Sequence, residues 1–247
     1  MSDRVLRKWE EVVSLRDRQV YAAAGYHRRG GLGTRPALLV IDTTYAFVGD
    51  RPEPILESVK RFTNSCGEVG WQAVSAIHQL LNHARPKRIP IIYTAGIEAK
   101  TESESGRWAS KHGRVIEESN VTTSGTKSIV KEIAPRSNDY VLSKSKPSAF
   151  FGTPLLSYLI QNEVNTLLVS GCTTSGCVRA SVLDAFSYNY RIGVIEETVF
   201  DRGEVSHLVN LWDMNAKYAD VITLSEACDY LNKLQPLTTK PVTLANS

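Results

Sequence analysis

Three places in the sequence carry side chains able to do nucleophilic or acid–base chemistry. Ser170-Gly-Cys-Thr-Thr-Ser-Gly-Cys177 is a turn of small residues that follows a buried apolar run and leads directly into a helix-period segment, 177–189. A cysteine at such a helix start meets the positive end of the peptide dipoles and unpaired N–H groups, and both favour the thiolate. The tight Gly/Thr/Ser turn also frees backbone amides to face an oxyanion. Asp42 comes directly after the run Ala37–Ile41, and Lys144 directly after Tyr140-Val-Leu-Ser143. A lysine nearby would lower the thiol pKa further, and a carboxylate could shuttle its proton. Taken singly, Asp42 reads first as a turn or cap residue, Lys144 as a solvated loop charge and Cys177 as a packed thiol. At successive strand ends the three point to one site.

The elements that must position them follow from hydrophobic periodicity. Ala37–Ile41 is an unbroken apolar run, as expected of a strand buried on both faces. Ile89–Tyr93, Tyr140–Leu142, Thr166–Val169, Ile192–Ile195 and the shorter Val221–Thr223 have the same character. Helix-period segments lie between them at 71–84, 126–133, 153–162, 177–189, 204–216 and 225–234. Short apolar strands alternating with helices predict an α/β fold: a three-layer α/β/α arrangement around a mostly parallel sheet of about six strands. Such sheets carry their sites in loops at the carboxyl ends of strands. Residues 3–24 carry Val5, Leu6, Trp9, Val12, Val13 and Val20 on roughly one face and predict an amphipathic helix, part of a helical extension over residues 1–30. The polar stretch 94–126 is long for a connection and reads as a functional loop or lid. With no repeat, low-complexity tract or linker, residues 1–247 read as a single domain.

Composition removes other classes. The charge is 29 basic minus 26 acidic residues, or +3, over 247 residues, too weak to imply nucleic-acid binding. Hydrophobic residues at 42% and charged residues at 22% match a globular protein rather than a disordered, collagen-like or disulfide-built one. The apolar runs are strand-sized, and the charged start Met1-Ser-Asp-Arg4 has no apolar core of a signal peptide behind it, so a cytoplasmic protein off the membrane is expected. Cys66, Cys172, Cys177 and Cys228 form no Cys-x-x-Cys pair or zinc spacing, so free thiols are expected. The histidines (27, 78, 83, 112 and 207) are scattered, and His78 and His83 are expected to face solvent.

From Gly33 to Leu234 the chain resembles the cysteine hydrolases of the isochorismatase-like superfamily, most closely the N-carbamoylsarcosine amidohydrolase branch. The resemblance is carried by Arg35-Pro-Ala-Leu-Leu-Val-Ile-Asp42, Val141-Leu-Ser-Lys-Ser-Lys-Pro-Ser-Ala-Phe-Phe-Gly-Thr153, Ser170–Arg179 and Glu197-Thr-Val-Phe-Asp-Arg202. It implies a catalytic triad of Asp42, Lys144 and Cys177. Lys144 fits better than Lys146, because the family lysine ends its strand four residues before the Ser-Ala-Phe segment. It also implies a cis peptide at Cys172–Thr173 and an oxyanion hole from the amides of Thr173 and Cys177. Arg202 would bind a substrate carboxylate, a surface salt bridge being the other reading of that residue; Thr174, Phe47 and Trp108 are further candidates for substrate contact. Ser175 departs from the Asn or Asp that many relatives carry two residues before the cysteine. Thr94–Lys100 lacks the Asp/His set with which related nicotinamidases hold a metal, so neither metal nor cofactor is expected.

The activity these readings imply is hydrolysis of a small N-carbamoyl, ureido or linear amide C–N bond with release of ammonia, through a cysteine thioester. A maleamate-type monoamide is the second substrate class. A reading of another kind is a non-enzymatic thiol sensor using Cys172 and Cys177. The resemblance further suggests a homo-oligomer, a tetramer or dimer, with the N-terminal helix and Leu208–Tyr218 as candidate packing surfaces.

Overall fold

The computed structural model describes residues 6–96 and 128–237, so Trp108 and nearly all of the expected 94–126 loop lie outside the described residues. Within them, six strands form one sheet: β1 (Pro36–Ile41), β2 (Ile91–Gly96), β3 (Tyr140–Lys144), β4 (Thr166–Cys172), β5 (Arg191–Phe200) and β6 (Asp220–Ile222). Every neighbouring pair is parallel, in the order β3-β2-β1-β4-β5-β6. The chain therefore leaves β1 toward one edge and returns through β4 on the other side. The carboxyl ends of β1 and β4 are the switch point where open α/β sheets form a crevice.

The helices are α1 (Lys8–Glu11), α2 (Leu15–Ala23), α3 (Tyr45–Val48), α4 (Ile55–Ser58), α5 (Glu68–Ala84), α6 (Leu155–Gln161), α7 (Arg179–Ser187), α8 (Glu204–Lys217) and α9 (Leu224–Lys233). Alternation along the strands divides the core in two. Leu39, Ile41, Leu167 and Val169 point to the face covered by α6, α7 and α8, through Leu159, Val182 and Leu211. Leu38, Val40, Ile91 and Leu168 point to the face covered by α5 and α9, through Val74, Ile77 and Leu231. The fold is thus the three-layer α/β/α sandwich that alternation of strands and helices predicts. Each such aliphatic side chain contributes roughly 1.5–3 kcal/mol by leaving water.

Some boundaries differ from the periodicity, each for a local reason. The expected single helix at 3–24 is two helices, broken where the Ser14 hydroxyl accepts the Asp17 N–H and caps α2. Trp9 is buried and Val13 packs inward, whereas Val12, Leu15 and Val20 face solvent, so α2 is not an amphipathic face. Of the expected helix at 126–133, the described part is a β-bridge of Ile129 to Thr44 followed by one 3₁₀ turn, Lys131–Ile133. β5 runs on to Phe200, past Glu196 and Glu197, because a register shift opposite Val169–Gly171 lets Val199 and Phe200 pair with Gly171 and Cys172. Within Leu208–Tyr218, Leu211, Trp212, Met214 and Ala216 are buried within the chain, whereas Val209 is exposed. No helix among the described residues is long and apolar enough to cross a membrane.

Gly171 is where β4 and β1 come too close for a side chain. Its φ is +98°, and a Cβ there would overlap the Ile41 carbonyl. Gly171→Ala is therefore expected to lower the free energy of unfolding by about 2 kcal/mol or more, read as a fall in the urea midpoint with an unchanged slope. A midpoint equal to that of the parent chain would contradict the close approach.

Candidate active site

Asp42 is the first residue after β1, held at a left-handed φ of +47°, a conformation Asp tolerates better than most residues. Its N–H donates to the Thr94 carbonyl at 3.2 Å, and the Thr94 hydroxyl donates to its carboxylate at 2.7 Å. Thr94, which the sequence suggests as the start of a polar loop, is instead a fully buried strand residue that orients the carboxylate. The chain returning at 128–130 pairs beside it, with Tyr45 N–H on the Ser128 carbonyl and Val130 N–H on that of Thr43.

Lys144 is the last residue of β3, two strands from β1. Between them β2 ends in Ala95 and Gly96, small residues that leave room for the lysine chain to cross. Its ammonium lies 2.6 Å from the Asp42 carboxylate and donates to the Cys177 Sγ at 3.4 Å and to the Lys146 carbonyl at 3.2 Å. Lys146 thus meets this site through its backbone.

Cys177 lies in a π-helical turn, Thr174–Val178, that enters α7. The preceding Cys172–Thr173 peptide is cis. The Thr173 carbonyl accepts from Gly176 and Val178, and the Asp201 carboxylate accepts both the Ser175 N–H at 2.8 Å and its hydroxyl at 2.7 Å. The other Asp201 oxygen accepts the Arg202 N–H, which ties the turn to the end of β5. Ser181, one turn beyond Cys177, donates to the Cys177 carbonyl and accepts the Ala149 N–H, so the Ser-Ala-Phe segment that follows Lys144 is fastened to the helix carrying the thiol.

The electrostatics differ from the expectation of a thiolate at rest. Burial pushes the Cys177 thiol up to about 12; the Asp42 carboxylate adds to this, and the Lys144 ammonium only partly opposes it. Burial by itself would lower Lys144, but Asp42 and Cys177 outweigh it and leave its pKa raised. The resting arrangement is a neutral thiol hydrogen-bonded to a buried ammonium–carboxylate pair. The Asp42 carboxylate is in hydrogen-bond contact with that thiol.

The other expected residues are placed as follows. Thr174 is fully buried, and its hydroxyl is paired with His207 Nδ1 at 2.8 Å, so it supports the turn. His207, which the sequence leaves among scattered histidines, is kept below its usual pKa by burial, against the pull of Asp201 and Glu204. Arg202 is exposed; its guanidinium donates to the Asn64 carbonyl at 2.6 Å and lies 5.7 Å from the Phe47 ring centre. It makes no carboxylate ion pair among the described residues, so the surface salt bridge is not what holds it. His78 is exposed as expected, whereas His83 is half-buried and bonded to Asn232. All four cysteines are free and buried. Cys172 donates to the Asp42 carbonyl and packs on the opposite face of the sheet from Cys177, which opposes a Cys172–Cys177 disulfide. Asp201, His207, Thr94 and Ser181 are the site residues that sequence reasoning missed. Only Asp201 lay inside a recognisable motif.

Fold and site together define a three-layer α/β protein with a thiol, an ammonium and a carboxylate in contact at a strand-end crevice. An isochorismatase domain model matches residues 36–226. The chain is 32% identical to N-carbamoylsarcosine amidase from an Arthrobacter species, over 92% of this chain and 83% of that protein. It is 31% identical to maleamate amidohydrolase from Pseudomonas putida, over 84% of this chain and 92% of that one. A cysteine hydrolase from Pseudomonas syringae superposes with a TM-score of 0.69 at 19% identity, over 80% of this chain and 92% of that one. The chain belongs to the isochorismatase family.

The charges around the thiol can be read by alkylation. Asp42→Asn removes the negative charge that raises the thiol and is expected to speed iodoacetamide labelling of Cys177 at about pH 8 by roughly tenfold or more. Lys144→Met removes the opposing charge and should slow it. Peptide mapping by mass spectrometry measures both rates, and faster labelling in Lys144→Met would contradict the arrangement.

Proposed function

We propose that the chain is a cysteine amidohydrolase that cleaves a small N-carbamoyl, ureido or linear amide C–N bond and releases ammonia. The observation that carries this reading is the contact of Cys177 with the buried Lys144–Asp42 pair, at 3.4 Å and 2.6 Å. The named relatives act in the same sense, one an N-carbamoylsarcosine amidase and the other a maleamate amidohydrolase.

The steps follow from the charges. Asp42 accepts the Cys177 proton as Sγ bonds to the substrate carbonyl carbon, and Lys144 compensates the charge that passes through sulfur. The N–H groups of Thr173 and Cys177 hold the oxygen that becomes anionic; such a donor is typically worth about 10²–10³-fold in rate. Collapse breaks the C–N bond, and protonated Asp42 gives its proton to the departing nitrogen, so ammonia leaves and a thioester remains. Water, deprotonated by the same carboxylate, attacks the thioester. The acid is released, and the proton returns to sulfur.

Among substrates, N-carbamoyl amino acids and related linear ureas are the first reading and a dicarboxylic monoamide the second. Arg202, exposed beside Phe47, is the group proposed to take a substrate carboxylate, and Trp108 remains a candidate contact. The reading includes assembly as a dimer or tetramer.

The test is ammonia release across carbamoyl amino acids, linear ureas and monoamides. Cys177→Ala is expected to abolish turnover on whichever substrate is active. Arg202→Ala should raise KM by about tenfold or more on carboxylate-bearing substrates and change it little on neutral ureas. Retention of most activity by Cys177→Ala would refute the mechanism, and an equal effect of Arg202→Ala on both classes would refute the role of the arginine.

A further inference from the structure

Asp201 follows directly on β5 and is buried, 8% exposed. One of its carboxylate oxygens accepts both donors of Ser175, the N–H at 2.8 Å and the hydroxyl at 2.7 Å, and the other accepts the Arg202 N–H at 2.8 Å. A buried carboxylate is costly unless donors surround it, and hydrogen bonds to a charged acceptor are roughly twice as strong as neutral ones. Asp201 therefore makes a stiff mount for the residue two places before Cys177.

The segment it holds is tied at both ends to the same strand. The Ser170 and Thr198 hydroxyls share a hydrogen bond of 2.8 Å, and Thr198 also donates to the Ile195 carbonyl, which pins β5 at its register shift. Gly171 and Cys172 then pair with Val199 and Phe200, and Ser175 hangs from Asp201 just beyond. Between these ties the Thr174 hydroxyl is paired with His207, and the Thr173 carbonyl accepts from Gly176 and Val178. The peptide groups on either side of Cys177 thus take their directions from a chain anchored through Ser175. The thiol itself answers to other groups: burial, Asp42 and Lys144 govern its pKa.

We propose that Asp201 is a positioning residue for the oxyanion hole: through its two bonds to Ser175 it fixes the directions of the Thr173 and Cys177 N–H groups, and it leaves the reactivity of the thiol to Asp42 and Lys144. The inference rests on the amidohydrolase reading above. Aim matters here because oxyanion donors act over about 2.7–3.1 Å, and a misplacement of about 1 Å can cost about 10²-fold in rate. An amide in place of the carboxylate has a single acceptor oxygen. Its NH₂ must then face either the Ser175 donors or the Arg202 N–H, so one side of the mount is lost.

The test measures ammonia release by Asp201→Asn on carbamoyl amino acids, neutral ureas and monoamides, together with iodoacetamide labelling of Cys177 in the same protein. On carboxylate-bearing and neutral substrates alike, kcat is expected to fall by about tenfold or more with KM within about threefold of the parent. Labelling should stay within about threefold, because displacement of iodide at a saturated carbon builds no oxyanion. A merely structural residue would move labelling together with kcat, or neither. Ser175→Ala removes one of the two bonds at a half-buried position and keeps the N–H, so it carries the test where Asp201→Asn does not fold; its kcat should fall by about threefold or more with labelling unchanged. The proposal is overturned if the folded variant keeps the parent kcat, if labelling changes as much as kcat, or if the loss is a raised KM confined to carboxylate-bearing substrates, which would assign Asp201 to the placement of Arg202. A parent chain that releases ammonia from none of these substrates refutes the amidohydrolase reading and this one with it. An active parent whose folded Asp201→Asn variant is unimpaired refutes this one alone.

Discussion

The ion pair between Lys144 and Asp42 is the constraint to which the rest of the site answers. Both side chains are almost wholly buried, 2% and 4% exposed, and lie 2.6 Å apart. A buried pair recovers the cost of leaving water only with good geometry and extra hydrogen bonds, and losing one partner typically costs about 3–5 kcal/mol. The surrounding chain supplies both. Thr94 holds the carboxylate, the Lys146 carbonyl takes a second ammonium hydrogen, and small residues at the end of β2 let the lysine cross from the edge strand. Strand order thus matters chemically: with β2 between β3 and β1, the lysine and aspartate approach from opposite sides and meet above the sheet.

The turn after β4 holds a thiol against that pair. Gly171 lets β4 pass close to the Ile41 backbone, and the π-helical turn then re-aims the chain before α7 begins. Asp201 clamps Ser175 from one side, His207 holds Thr174 from another, and Ser181 fastens the Cys177 carbonyl to the segment following Lys144. Cys177 is placed by Asp201, just past β5, and by side chains from α7 and α8. The register shift in β5 is what brings Asp201 within reach.

This explains which parts were legible in the sequence. The six strands announced themselves because each is an apolar run in a sheet covered on both faces, and Asp42, Lys144 and Cys177 stood out as chemical residues ending such runs. Thr94, Asp201 and His207 did not. A threonine at the end of a strand, an aspartate before an arginine and a histidine in the first turns of a helix look the same whether they support a site or face water. Their roles depend on tertiary proximity, which local periodicity does not encode. The broken N-terminal helix was misread for the converse reason: Val12 and Val20 fit an apolar stripe on paper, yet the cap at Ser14 rotates α2 away from it.

The thiol was misread too, and the physical reason bears on how such a site works. A helix start and a nearby lysine both favour thiolate, but these contributions are outweighed when the sulfur is buried beside a carboxylate. Burial and the Asp42 carboxylate raise the Cys177 thiol and so favour its neutral form, and oxidants that require a thiolate react slowly with a neutral thiol. In the proposed mechanism the proton passes to Asp42 as the carbonyl carbon arrives, when negative charge moves off sulfur onto an oxygen facing the turn. A single proton moves within a cluster whose net charge is unchanged, so the protein need not solvate a free thiolate at any stage. A site of this kind relies on a few placed groups rather than on a charged surface, which is consistent with a chain whose net charge is only +3.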